Sequence, residues 1–220
     1  MRHIAAVGAA AAVLAGCGAA PDEPQPAAPP ATSAATGAID PSRIDRARDD
    51  LPPDYEVADV SGRVTPLAQW GFGPGWRAEP VACGALSDPA VEPATVRGWS
   101  ASGAGGIVYA VAASGAAGLD PAVVGECDSW QVSAGPSTGT VRVVPAPPVP
   151  GAQTVAMAAD TLTVVEGGTE TRSRATTVMA HDAGRLVYVT VVTDPGASDA
   201  ALEGDFAADL LTETVAALRA

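Results

Sequence analysis

Leu14-Ala15-Gly16-Cys17 close a short apolar run that begins at Ile4, and a Pro/Ala-rich stretch follows at once. This junction constrains the fold before any other feature does, because it removes the first 38 residues from the part of the chain that must build a core. Residues 1–16 have the parts of an export signal: a positive start at Met1-Arg2-His3, an apolar middle and small residues before Cys17. As a helix, residues 4–16 would span roughly 20 Å, short of a hydrocarbon core of about 30 Å. No later stretch is long and apolar enough to cross, so the sequence predicts no transmembrane segment.

Small residues leading into a cysteine form a lipobox, in which the thiol is acylated and the Cys becomes the new N-terminus. Cys17 is therefore the expected lipidation site, with the acyl chains as the membrane contact. The other reading is an ordinary secreted chain in which Cys17 is an incidental thiol. Residues 17–38 carry almost no bulky apolar side chain and read as a disordered tether, able to reach roughly 60 Å in extended polyproline form. Residues 39–220 are then about the right length for one domain.

Of the three cysteines, lipidation would use Cys17 and leave Cys83 and Cys127 as an even pair in an oxidising compartment. A Cys83–Cys127 disulfide is expected, the alternative being two buried thiols. Neither has a second Cys or a His at ligand spacing, so no metal and no other cofactor is expected. The formal net charge of −13 loses the positive Arg2 with residues 1–16 and becomes −14. That much negative charge repels phosphate backbones and argues against nucleic acid as a partner. All twelve basic residues are Arg, and neither Lys nor Asn occurs, a bias that points to a GC-rich source genome such as an actinobacterium's.

Along the domain, Asp40-Pro41-Ser42 supplies a cap and a first-turn proline for a short helix, which Pro52-Pro53 ends. Strands are predicted over residues 55–60, 95–100, 107–112, 130–133, 140–144 and 161–165. A short helical turn is expected at Cys83, and a short helix between Asp120-Pro121 and Cys127. The clearest hairpin joins 175–181 to 185–193 through Asp182-Ala183-Gly184. From Ser198 to the end, Phe206, Leu210, Leu211, Val215 and Leu218 share one arc of an amphipathic helix. Strands dominate, so the expected class is α+β: one antiparallel sheet with helices packed on one face and this helix at the C-terminus.

Catalytic motifs are scarce. There is no Gly-x-Ser-x-Gly, His-Glu-x-x-His or Cys-x-x-Cys, and a Walker A loop needs a Lys. His181 is the one His beyond residue 3, so any His-dependent hydrolase would have to use it; beside a hairpin turn it reads as exposed and non-catalytic. A carboxylate pair is the other hydrolase reading. Trp70, Phe72 and Trp76 fall within seven residues of a chain that is 4% aromatic. Their ordinary use is to fill the core; their functional use would be to line a groove for an apolar or glycan ligand, or to anchor a protein partner. Trp99 and Trp130, in predicted strands, read as core.

Several of these segments resemble a known group. The lipobox, the tether, Asp40-Pro41-Ser42-Arg43-Ile44 and Leu51-Pro52-Pro53-Asp54-Tyr55 are similar to mycobacterial lipoproteins that carry a domain of unknown function. Pro80-Val81-Ala82-Cys83 and Cys127-Asp128-Ser129-Trp130 resemble the extracellular sensor domain of PknH-like membrane serine/threonine kinases. The resemblance implies an antiparallel sheet with helices, disulfide-braced around a ligand cleft, although only one disulfide is possible here against two there. The expectation is a lipid-anchored, non-enzymatic binding protein on the outer face of the membrane; the alternatives are an envelope hydrolase and a purely structural partner of envelope proteins.

Overall fold

The computed structural model describes residues 37–60, 64–195, 202 and 205–220. Cys17, the export signal and nearly all of the tether lie outside the described residues. Those described fall in a single compact unit.

The described residues build one nine-stranded antiparallel sheet. In chain order the strands are β1 (Glu56–Asp59), β2 (Arg77–Glu79), β3 (Arg97–Gly103), β4 (Gly106–Ser114), β5 (Ser129–Ala134), β6 (Ser137–Val144), β7 (Gln153–Val164), β8 (Glu170–Asp182) and β9 (Arg185–Thr193). Their order across the sheet is β1-β3-β4-β9-β8-β7-β6-β5-β2. The run β5 to β9 is a meander of hairpins. In the β8–β9 turn, Ala183 and Gly184 both take positive φ, 46° and 76°, the two-residue geometry that matches the twist of the flanking strands.

Strands β1 and β2 lie at opposite edges, so the chain crosses the sheet three times: from β1 to β2, back from β2 to β3, and from β4 to β5. The crossings carry the short helices α1 (Pro66–Gln69), α2 (Gly84–Ser87) and α3 (Pro121–Glu126). Leu67, Leu86 and Val123 from these helices pack with Ala113, Met157, Met179, Leu186 and Tyr188 of the strands, so all three crossings cover the same face.

The alternate strand residues, among them Trp99, Val108, Ala110, Val178, Val187 and Val189, form a second core. It is covered by α4 (Phe206–Arg219) and by a 3-10 segment, Pro41–Asp50, whose cap Asp40 accepts the Ser42 amide at 3.0 Å. Helical segments thus lie on both faces of the sheet, against the expectation of one. A central strand such as β9, flanked by β4 and β8, is apolar at nearly every position because both of its faces are buried.

Two strands depart from expectation. Strand β7 runs from residue 153 and not from 161, and β2 lies where no strand was expected. The start expected for the last helix, at Ser198, lies outside the described residues. Among them, no helix is long and apolar enough to cross a membrane.

Candidate functional site

The two expected partner cysteines are joined: Cys83 and Cys127 form a disulfide with their Cα atoms 5.6 Å apart. Cys83 ends the 3-10 turn that runs into α2, and Cys127 caps the C-terminal end of α3, whose own start is fixed by Asp120 accepting the Ala122 amide at 2.9 Å. The bond therefore staples the second crossing to the third over the sheet.

Beneath and beside that staple lies a cavity of about 400 Å³. Met179 and His181, two positions apart on β8, form its floor. Leu86 and Pro89 wall it from the α2 side, and Leu119 and Val123 from the α3 side. Asp88 and Asp120 also line it.

His181 departs from its expected place at an exposed turn. It is only 7% exposed, because the third crossing lies over it. Its Nδ1 is 3.0 Å from the Ala117 carbonyl oxygen, which can only accept, so Nδ1 carries the proton. Its Nε2 is buried with no hydrogen-bond partner among the described residues. Burial holds the imidazole pKa below its ordinary value, an effect the Ala117 bond partly offsets. At neutral pH the ring is uncharged, and Nε2 is closed off from solvent.

The aromatic cluster is divided. Trp70 is 2% and Phe72 3% exposed, so both are packed in the core, and Phe72 also borders a depression of about 320 Å³ beside Gly73 and Trp76. The Trp70 indole N–H donates to Thr177 Oγ1 at 3.0 Å, and Thr177 pairs with Thr190 at 2.8 Å across β8 and β9. Phe72 lies on Gly139 of β6, where a Cβ would stand 2.9 Å from its ring. Trp76 is half-buried, its ring against Gly84, and lines two other depressions. The larger of these, about 610 Å³, is an open groove at the β2 edge bounded by exposed Arg77, Glu79, Gln131 and Ser133.

Trp99 and Trp130 are fully buried. Burial also pushes the Tyr188 phenol far above its usual range, so it stays protonated. Among the described residues, no three of His, Cys, Asp and Glu gather as a metal site would require.

With this geometry in place, the comparisons are specific about family and coarse about role. A family model described as domain of unknown function DUF5642 matches residues 40–219. No curated protein matches. The crystal structure of an uncharacterized protein from Mycobacterium smegmatis, the Rv0999 ortholog, is similar with a TM-score of 0.61 over 83% of this chain and 98% of that one. At 21% identity it supports the fold alone.

Proposed function

The chain belongs to the DUF5642 family, and from that premise we propose that its domain is a non-enzymatic binding module for a small apolar ligand, taken up in the cavity between α2, α3 and β8. The observation that carries this reading is the cavity: apolar walls on two disulfide-stapled crossings, with one buried imidazole in its floor. A volume of about 400 Å³ is within the usual range for small-molecule sites. The likeness of the two cysteine segments to the kinase sensor domain points the same way, towards sensing and not turnover. Lipidated Cys17 would hold the module on the outer face of the membrane.

The hydrolase alternative fits less well. Nδ1 of His181 is held by a backbone carbonyl and not by a carboxylate, and among the described residues no hydroxyl is hydrogen-bonded to Nε2. The reading is tested by native mass spectrometry of the protein purified from an actinobacterial host. The expected result is an added mass that leaves on denaturation and is missing from Val123→Trp, in which an indole fills the cavity. A bare mass for the unmutated chain would refute it.

A further inference from the structure

We propose that the open groove at the β2 edge is a second binding site and that its ligand is an uncharged glycan. One sugar ring stacks on Trp76, and Arg77, Glu79, Gln131 and Ser133 hydrogen-bond its hydroxyls. Among the described residues the groove shares no lining side chain with the cavity beside the disulfide, so this site is additional to that cavity.

The polar side of the groove follows from strand register. Strands β2 and β5 pair antiparallel, with Arg77 opposite Ser133 and Glu79 opposite Gln131. Side chains alternate along a strand, so these four share one face while Ala78 and Val132 point into the core. All four are exposed. They stand roughly 5 Å apart across the pair and about 7 Å apart along each strand. The Arg77 guanidinium donates, the Glu79 carboxylate accepts, and the Ser133 hydroxyl does both. The Thr140 hydroxyl donates to Gln131 Oε1 at 3.1 Å, which leaves the amide NH2 of Gln131 for a ligand. One cation and one anion side by side suit a neutral partner that both donates and accepts, as a hydroxyl does.

The apolar side comes from the residues that flank β2 in the chain. Trp76 lines this groove and also the neighbouring depression of about 320 Å³, so its side chain is reached from both. Its ring is held against Gly84, where a Cβ would stand 2.7 Å from it. Val81, which also lines the groove, is 79% exposed, the most of any large apolar side chain among the described residues. A pyranose has the same two-sided character: a face of C–H bonds that packs on an indole, and hydroxyls around its edge. A peptide added as a tenth strand fits less well, because β2 has three residues and Pro80 after it has no N–H to give.

The test is titration of the purified 15N-labelled chain with maltohexaose, cellohexaose and mannohexaose. Hexagalacturonate, the glucosamine hexamer and the hexapeptide of residues 129–134 are titrated beside them. The indole N–H signals of the four tryptophans and the Gln131 side-chain amide report binding, and Trp76→Phe identifies the Trp76 signal. At least one neutral hexasaccharide is expected to move the Trp76 and Gln131 signals and to leave those of the buried Trp99 and Trp130 in place. Trp76→Ala should weaken that sugar roughly tenfold, and the double variant Glu79→Ala/Gln131→Ala roughly five- to tenfold. Val123→Trp, which fills the other cavity, should bind it as the parent does.

No shift with any neutral hexasaccharide, tighter binding of either charged one, or undiminished affinity in the double variant would overturn the proposal. Loss of sugar binding in Val123→Trp would overturn it too, by placing the sugar in the other cavity. A response to the hexapeptide alone would do the same and make the edge a strand-pairing surface. Should Trp76→Ala fail to fold, the double variant still decides the question, since Glu79 and Gln131 are both exposed.

Discussion

Trp70 is held at both ends of its side chain: the six-membered ring lies in the core, and the indole N–H reaches the Thr177–Thr190 pair. Trp70→Phe should therefore cost about 2 kcal/mol, from one lost buried hydrogen bond and a small void, and Trp70→Ala about 3–5 kcal/mol. Urea unfolding followed by circular dichroism measures both; a Trp70→Ala protein as stable as the parent would place the indole outside the core. His181 makes a second residue-scale prediction. Its folded-state pKa lies below the ordinary 6.5, so below that pH the unfolded chain binds the proton first and stability falls with pH. The slope from this one group is bounded by one proton, about 1.4 kcal/mol per pH unit, below pH 6.5. It should be absent from His181→Phe; a parallel decline in both proteins would assign it to other groups. That His181 is buried was half legible. It shares strand parity with apolar Met179, but the crossing that covers it lies 64 residues away in the sequence, beyond any local pattern.

At the scale of elements, the disulfide does more than shorten the unfolded chain. Its sequence separation of 44 makes the loop-closure contribution about 4 kcal/mol. It also fixes the distance between α2 and α3, and with it the two walls of the cavity. Replacing both cysteines by Ser should lower stability by about 2–5 kcal/mol and reduce the ligand mass seen in native spectra while the protein is still folded at low temperature. Undiminished binding in that variant would show that the walls are held by packing alone. The pairing itself was legible from cysteine count and compartment. The hairpin of β8 and β9 was legible too, because alternation and a two-residue turn are local signals. Strand β7 was only partly so: Ala156, Ala158 and Ala159 carry little β-propensity, and the segment is a strand because β6 and β8 pair with it on both sides. The three residues of β2, after a loop rich in Gly and Pro, are too few to show a period. Helices on both faces were hidden for a related reason, since the short helices of the crossings owe their place to sheet order and not to their own sequences.

For the whole molecule, what matters is where the tether joins the domain. Ile39 is buried in the α4-side core, the Asp40 amide donates to the Leu218 carbonyl at 3.0 Å, and the Arg43 guanidinium donates to the Ala220 carbonyl. Arg185 adds a bond to the Ile39 carbonyl, and Arg219 an ion pair of 2.9 Å with Asp182. The chain therefore enters beside the end of α4, on the face of the sheet opposite the cavity. A protein held by Cys17 through residues 17–38 would be tied at its back and would keep the cavity free to meet a ligand. Anchoring and binding are then separable, which gives a prediction for Cys17→Ala expressed in an actinobacterial host. The variant should leave the membrane fraction for the culture medium, because the acidic domain offers no polybasic surface to hold it on anionic lipid. The ligand mass it carries and its unfolding midpoint should match those of the parent, because the described residues of both cores and of the cavity lie at or after Ile39. Fractionation, then native mass spectrometry and urea unfolding of the shed protein, measures all three. A variant that stays with the membrane would mean that something other than the acyl chains holds it there. One that is shed but has lost the ligand mass would mean that the tether, or the lipid itself, takes part in the site.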